Sequence, residues 1–149
     1  MVETGQSWRE LVATLCPRAV FGPPAADAEI AEAERRLSIP IPDDLRTLLA
    51  ESDGVMDEYG WEILWPLPRI VANNDDYRHN PAFASYMPID VFLFFAESGD
   101  GQPFGYSISG TCEVQGHVFV WNQIEDSRTK VADSLAGWLK GWLEGSLTV

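Results

Sequence analysis

Imidazoles, thiols and cations are all scarce in this sequence, and each scarcity removes a class of function. The chain of 149 residues holds two histidines, His79 and His117, and two cysteines, Cys16 and Cys112. Nucleophilic catalysis needs a Ser or Cys activated by a nearby base. His117 opens an apolar strand pattern, so a structural role is expected for it. Metal binding needs clustered donors, and the best offer is Asp75, Asp76 and His79 in a polar stretch that reads as a solvated loop. The glycines at 99, 101 and 105 match neither the dinucleotide nor the P-loop spacing and precede a strand pattern. No catalytic residue, cofactor or metal is therefore expected. With two cysteines and no export signal, two reduced and packed thiols are expected.

Long apolar runs are missing as well. The longest, Val91 to Ala96, falls far short of the roughly 20 residues that span a bilayer, and the opening MVETGQSWRE has no basic region followed by an apolar stretch. A cytoplasmic protein without membrane contact is expected. Bases are absent over two long intervals. Between Arg46 and Arg69 stand Glu51, Asp53, Asp57, Glu58 and Glu62, and between Arg78 and Arg128 stand Asp90, Glu97, Asp100, Glu113, Glu125 and Asp126, so these intervals carry most of the formal charge of −13. A field of one sign repels nucleic acid and anionic lipid, and it speeds encounter with a basic partner. It also keeps a small protein in solution.

What is present is ample apolar material, 46% of residues with six tryptophans, enough for one core; a chain of this length buries about 70% of its unfolded surface. One domain over residues 1–149 is expected. Ser7 caps a helical stripe of Trp8, Leu11, Val12 and Leu15. Asp27 to Leu37 repeats the pattern with Ile30, Ala33 and Leu37 inward. After Ile39-Pro40-Ile41, Pro42 can occupy the first position of a third helix through Leu45, Leu48 and Leu49. The period then changes to two, with strands expected at Trp61–Trp65, Val91–Glu97, Phe104–Ser109 and His117–Trp121 and turns at 98–101 and 110–116. Ala72 to Pro88 has no clear period and reads as a long loop with room for one helical turn. From Ala132 onward, Leu135, Trp138, Leu139, Trp142 and Leu143 make a last helical stripe. This order gives an α+β fold, a central antiparallel sheet with N-terminal helices and a C-terminal helix packed against it.

Two features stay open to a functional reading. Glu97 and Asp100, at the end of a strand, are the one carboxylate pair placed for acid–base work, although Asp100-Gly101 is ordinary turn chemistry. Trp8, Trp138 and Trp142 belong to helical apolar stripes and read as core. Trp61, Trp65 and Trp121 lie at strand ends beside acids, where aromatic residues anchor protein interfaces.

The segment from Glu29 to Gly54, EIAEAERRLSIPIPDDLRTLLAESDG, resembles the opening of the SUKH superfamily. Ile30, Glu34, Leu37, Pro42, Asp44, Leu45, Leu48, Leu49, Ser52 and Gly54 carry the likeness. The tryptophan strand running into Pro66 and Leu67, the strand Phe92 to Gly101, the strand Val118 to Asp126 and the closing SLAGWLKGWL helix follow in the family's order. The resemblance implies the α+β fold just described. It also implies an immunity protein that neutralises a cognate toxin, often a nuclease, or else a non-catalytic scaffold of the kind that regulates fungal cell-wall synthesis. Two departures touch the expected binding face: Asp100 is the one acid in the glycine-rich turn where relatives often carry several polar or acidic residues, and Gln123 stands where His is frequent after the strand tryptophan.

Composition and resemblance together lead to a toxin-neutralising, non-catalytic protein that meets a basic partner through Trp65, Asp100, Trp121, Glu125 and Asp126. The regulatory scaffold is the alternative. A small hydrolase using Glu97 and Asp100 is the third reading, and it requires those carboxyls to share a pocket.

Overall fold

The structure, a computed structural model, describes residues 7–83, 92–99, 101–108 and 114–145. Helix α1 (Trp8–Leu15) starts where the Ser7 hydroxyl accepts the Glu10 N–H at 3.1 Å. Its stripe buries Trp8, Leu11 and Val12, and the Trp8 indole N–H donates to Thr47 Oγ1 at 2.8 Å. The short strand β1 (Val20–Phe21) follows, then α2 (Asp27–Leu37), which turns Ile30, Ala33 and Leu37 inward as its spacing predicts. Helix α3 (Asp43–Glu51) buries Leu45, Leu48 and Leu49, with Pro42 one position ahead of the helix as its cap.

Two antiparallel sheets carry the rest. The small one has the order β1-β2-β3, with β2 at Val55–Met56 and β3 at Glu62–Leu64. The larger has the order β4-β5-β6-β7, with β4 at Phe92–Glu97, β5 at Pro103–Ile108, β6 at Val114–Asn122 and β7 at Ser127–Ala132. Helix α4 (Leu67–His79) and helix α5 (Leu135–Glu144) complete the fold. The α+β class is as the sequence indicates.

The larger sheet lies between two helices because its strands alternate. Phe94 stacks on Trp121 at 5.7 Å between ring centroids and meets Tyr77 of α4 edge-on at 5.3 Å. On the other face Phe95 and Phe104 both meet Trp138 of α5, at 5.1 and 5.3 Å. Trp8 and Trp138 are core residues and Trp142 packs half-buried against them. Gly105, on β5 opposite Phe94, leaves room for that stack. A Cβ there would sit 2.6 Å from the Leu93 carbonyl oxygen and 2.7 Å from the Phe94 ring.

The stretch expected to be a loop from Ala72 is instead the greater part of α4. Leu67, Ile70, Val71 and Asn74 are its buried residues, a full i, i+3, i+4, i+7 stripe in which the last member is polar. Buried Asn74 fits because Phe94 on β4 offers it a backbone pair. Its amide donates to the Phe94 carbonyl at 2.8 Å and its oxygen accepts the Phe94 N–H at 2.9 Å. The Trp65 N–H donates to the Phe95 carbonyl at 3.0 Å. Both contacts fall where the β4–β5 register shifts, between Phe94 and Ala96, so the outward backbone groups of this strand are satisfied by a side chain and by the segment after β3. The expected turn over 110–116 lies in part outside the described residues, and β6 already begins at Val114.

Candidate protein-interaction site

Chain direction gathers several polar groups at one end of the larger sheet. Strands β4 and β6 both pair antiparallel with β5 and so run the same way, which puts the β4–β5 turn and the β6–β7 turn at a common end. Helix α4 runs against β4, since Arg69 near its start reaches Glu97 and Arg78 near its end donates to the Phe92 carbonyl at 3.2 Å. Its first turn therefore arrives at the same end. There Arg69 forms ion pairs with Glu62 on β3 and with Glu97 on β4, the latter at 2.7 Å, and its guanidinium lies 5.0 Å from the Trp65 ring centroid. Burial lowers the Arg69 pKa, but the two carboxylates more than offset this, and the net shift is upward. Tyr77 is pushed up to about 12 by burial, with the Glu97 charge adding to the rise.

The β6–β7 turn is braced from within. The Asn122 side-chain oxygen accepts the N–H groups of Ile124 at 3.0 Å and Glu125 at 3.2 Å, an arrangement that fixes a turn without further contacts. The Trp121 indole N–H donates to Asp126 Oδ1 at 3.0 Å, and Arg128 lies 3.2 Å from the same oxygen. Asp126 has φ of 51°, a left-handed conformation that Asp tolerates better than most residues. Between these fixed points Ile124 is 94% exposed and Glu125 is exposed. Ile124 is thus an apolar side chain held out in water on a turn whose backbone N–H groups are already hydrogen-bonded.

A model of the SMI1 / KNR4 family (SUKH-1) matches residues 24–141, well over half of the chain. The chain belongs to this family. No curated protein matches it.

In this SUKH-1 chain the structure redistributes the residues expected at an interface. Trp65 and Trp121 are both 0% exposed, which corrects their expected place on a partner-facing surface. Trp65 is sealed under Arg69, and Trp121 between Phe94, Tyr77 and Asp126. Asp126 is half-buried and turned inward onto Trp121 and Arg128, while Glu125 faces solvent. Asp100 lies outside the described residues. Glu97 is committed to Arg69, and Asp75 and His79 form a local pair on α4 at 2.9 Å. Among the described residues no group of three or more His, Cys, Asp or Glu is arranged to hold a metal ion, and no helix is long and apolar enough to cross a membrane.

Of the three strand-end tryptophans Trp61 is exposed, at 37%, but sequence reasoning missed other exposed apolar residues. Besides Ile124 these include Tyr59, 87% exposed on the turn between β2 and β3, where the Asp57 carboxylate accepts the N–H groups of Tyr59 and Trp61 at 2.8 and 2.9 Å. The available signal was an apolar residue inside a polar turn, Asn122-Gln123-Ile124-Glu125-Asp126, where solvation alone would select none.

Proposed function

We propose that this SUKH-1 domain is a non-catalytic protein-binding module, and that it serves as an immunity protein that neutralises a cognate basic toxin by direct contact. The observation that carries the reading is the β6–β7 turn, with Ile124 and Glu125 presented on a frame set by Asn122, Trp121, Asp126 and Arg128. Burying an isoleucine contributes about 1.5–3 kcal/mol. The neighbouring acid and the formal charge of −13 steer a basic protein toward the surface more than they hold it there. A toxin that handles nucleic acid must present a basic surface, and an acidic inhibitor can occupy it. In this reading Glu125 touches the partner and Asp126 positions the turn, with Asp100 kept as a further proposed contact.

The test is capture. The purified chain is immobilised, exposed to lysate of its own host at low and at moderate salt, and the retained proteins are identified. Retention of a basic toxin domain that salt releases is the expected result. Retention of cell-envelope enzymes alone would favour the regulatory-scaffold alternative, and retention of nothing would remove the support for either.

A further inference from the structure

Helices α2 and α4 lie side by side and run parallel. At their starts the Asp53 carboxylate accepts the Leu67 N–H at 2.6 Å and feels the charge of Glu29 in the first turn of α2. At their ends Arg78 donates to the carbonyl of Leu37, the last residue of α2, at 3.0 Å. Along most of α2 and the first turns of α4 runs a groove of about 370 Å³. Buried Ala33, Leu67 and Val71 form its floor, and exposed Ala28 and Pro68 form its walls. The groove exists because α2 offers alanine at both of its contributing apolar positions. Ala28 and Ala33 leave unfilled the space that larger side chains occupy elsewhere along these helices.

The charge around the groove is graded. Glu32 on its rim is paired with Arg35, and Arg36 stands toward the far end. At the near end Glu29 accepts the Ala26 N–H at 2.9 Å and Asp53 that of Leu67, both uncharged donors, and Asp27 stands in the same first turn. Two helix N-termini offset about half a charge each, which leaves this end negative against three carboxylates. Burial, together with the Glu29 charge, holds the Asp53 carboxyl above its ordinary range. Among the described residues neither Glu29 nor Asp53 forms an ion pair. A second copy of this strongly acidic chain cannot supply a cation there without facing repulsion.

We infer that the groove between α2 and α4 is a second docking site, one that seats an apolar side chain of a basic protein segment while a Lys or Arg beside it meets Glu29 on the lining, where the Asp53 charge adds to the attraction. The inference rests on the protein-binding reading above and adds to it a surface separate from the β6–β7 turn. Amphipathic segments dock in such grooves through spaced apolar anchors, with flanking charge setting orientation.

The experiment is an amide NMR titration of the full chain with a short synthetic amphipathic peptide of Leu and Lys, and with its counterpart carrying Glu in place of Lys. Saturating shifts at Ala28, Ala33 and Val71 are expected with the Lys peptide, with a Kd of about 1 mM or tighter. They should weaken several-fold in Glu29→Gln and vanish in Ala28→Trp, which fills the groove from an exposed position. An unchanged Tm would show that each variant is folded. Shifts centred elsewhere, equal shifts with the Glu peptide, undiminished binding by Ala28→Trp, or no shifts at all would overturn the inference. A captured basic partner that binds Ala28→Trp as it binds the original chain would remove the groove and leave the protein-binding reading standing. If capture itself fails, the titration still decides the groove.

Discussion

Replacing Asn74 with alanine removes three hydrogen bonds from a site that is 1% exposed: the amide donations to Ile70 and Phe94 carbonyls at 2.7 and 2.8 Å and the acceptance from the Phe94 N–H at 2.9 Å. The Ile70 carbonyl also belongs to the helix ladder. The Phe94 N–H and C=O face away from β5, so both lose the partner the side chain supplied. An orphaned buried polar group costs about 1–3 kcal/mol, and two of them, partly relieved by entering water, give about 3 kcal/mol. Total stability of such domains is about 5–15 kcal/mol, so the change takes a large share of it. For a chain of this length the Tm should fall by about 6–12 °C. Urea unfolding should show a lower midpoint at unchanged slope, the signature of lost stability without a changed unfolded state. Asn74→Asp should be at least as damaging, because it keeps an acceptor but loses both donations and buries a charge. A loss under about 1 kcal/mol for Asn74→Ala would refute the view that this side chain completes the backbone pairing of β4.

Gly105→Ala should destabilise by about 3 kcal/mol, since its Cβ would press on a backbone carbonyl at 2.6 Å, and near-ultraviolet circular dichroism should report a disturbed Phe94–Trp121 stack. Tyr106→Phe should stabilise by about 1 kcal/mol, because the buried Tyr106 hydroxyl has no hydrogen-bond partner among the described residues; any loss on denaturant unfolding would contradict this. The folded pKa of Tyr77 is raised from 10.0 to about 12, so its phenol ionises first in the unfolded chain. Stability should be intact below pH 10 and fall as pH rises toward 12. Tyr77→Phe should flatten that fall, and an equally steep fall in the variant would count against the assignment. With a captured basic partner, Ile124→Ala should weaken binding by about 2 kcal/mol, or about 30-fold in Kd, mainly through faster dissociation. Glu125→Lys should slow association and reduce its salt dependence. Reversing Asp126 would disturb Trp121 and Arg128 together, so Glu125 is the cleaner probe of steering.

Much of this architecture was legible in the residues because local and global preferences agree. Helix α2 has the bounds its stripe predicts, and α5 begins at Leu135 behind the Ser134 cap, a few residues into the expected stretch. Helix α4 was not legible, because Asn73, Asn74, Asp75 and Asp76 are weak helix formers that favour turns. What compensates is a tertiary contact, Asn74 on β4. The apolar stripe was present all along, once Asn74 is counted as an inward residue. Strand β7 reads as polar because it lies at the sheet edge with Thr129 and Lys130 exposed. The candidate site was half legible. Glu125 and Asp126 were picked out, but within a strand expected from Val118 to Asp126, where β6 in fact ends at Asn122 and a turn follows, and Trp65 and Trp121 were expected outside because acids adjoin them. Those acids are instead their covers: Asp126 holds the Trp121 indole, and Glu62 and Glu97 hold the arginine that lies over Trp65. A tryptophan beside an acid and an arginine can be a lidded core residue as readily as an interface anchor, and linear sequence does not distinguish the two.

The most direct measurement of the central claim is growth of a susceptible cell that produces the captured basic protein, with and without this chain. Growth arrested by the partner alone and restored by co-production of the chain is the predicted result, with restoration reduced in the Ile124→Ala, Glu125→Lys double variant. A partner that is harmless alone, or a toxic one whose effect the chain leaves unchanged, would contradict neutralisation by direct contact.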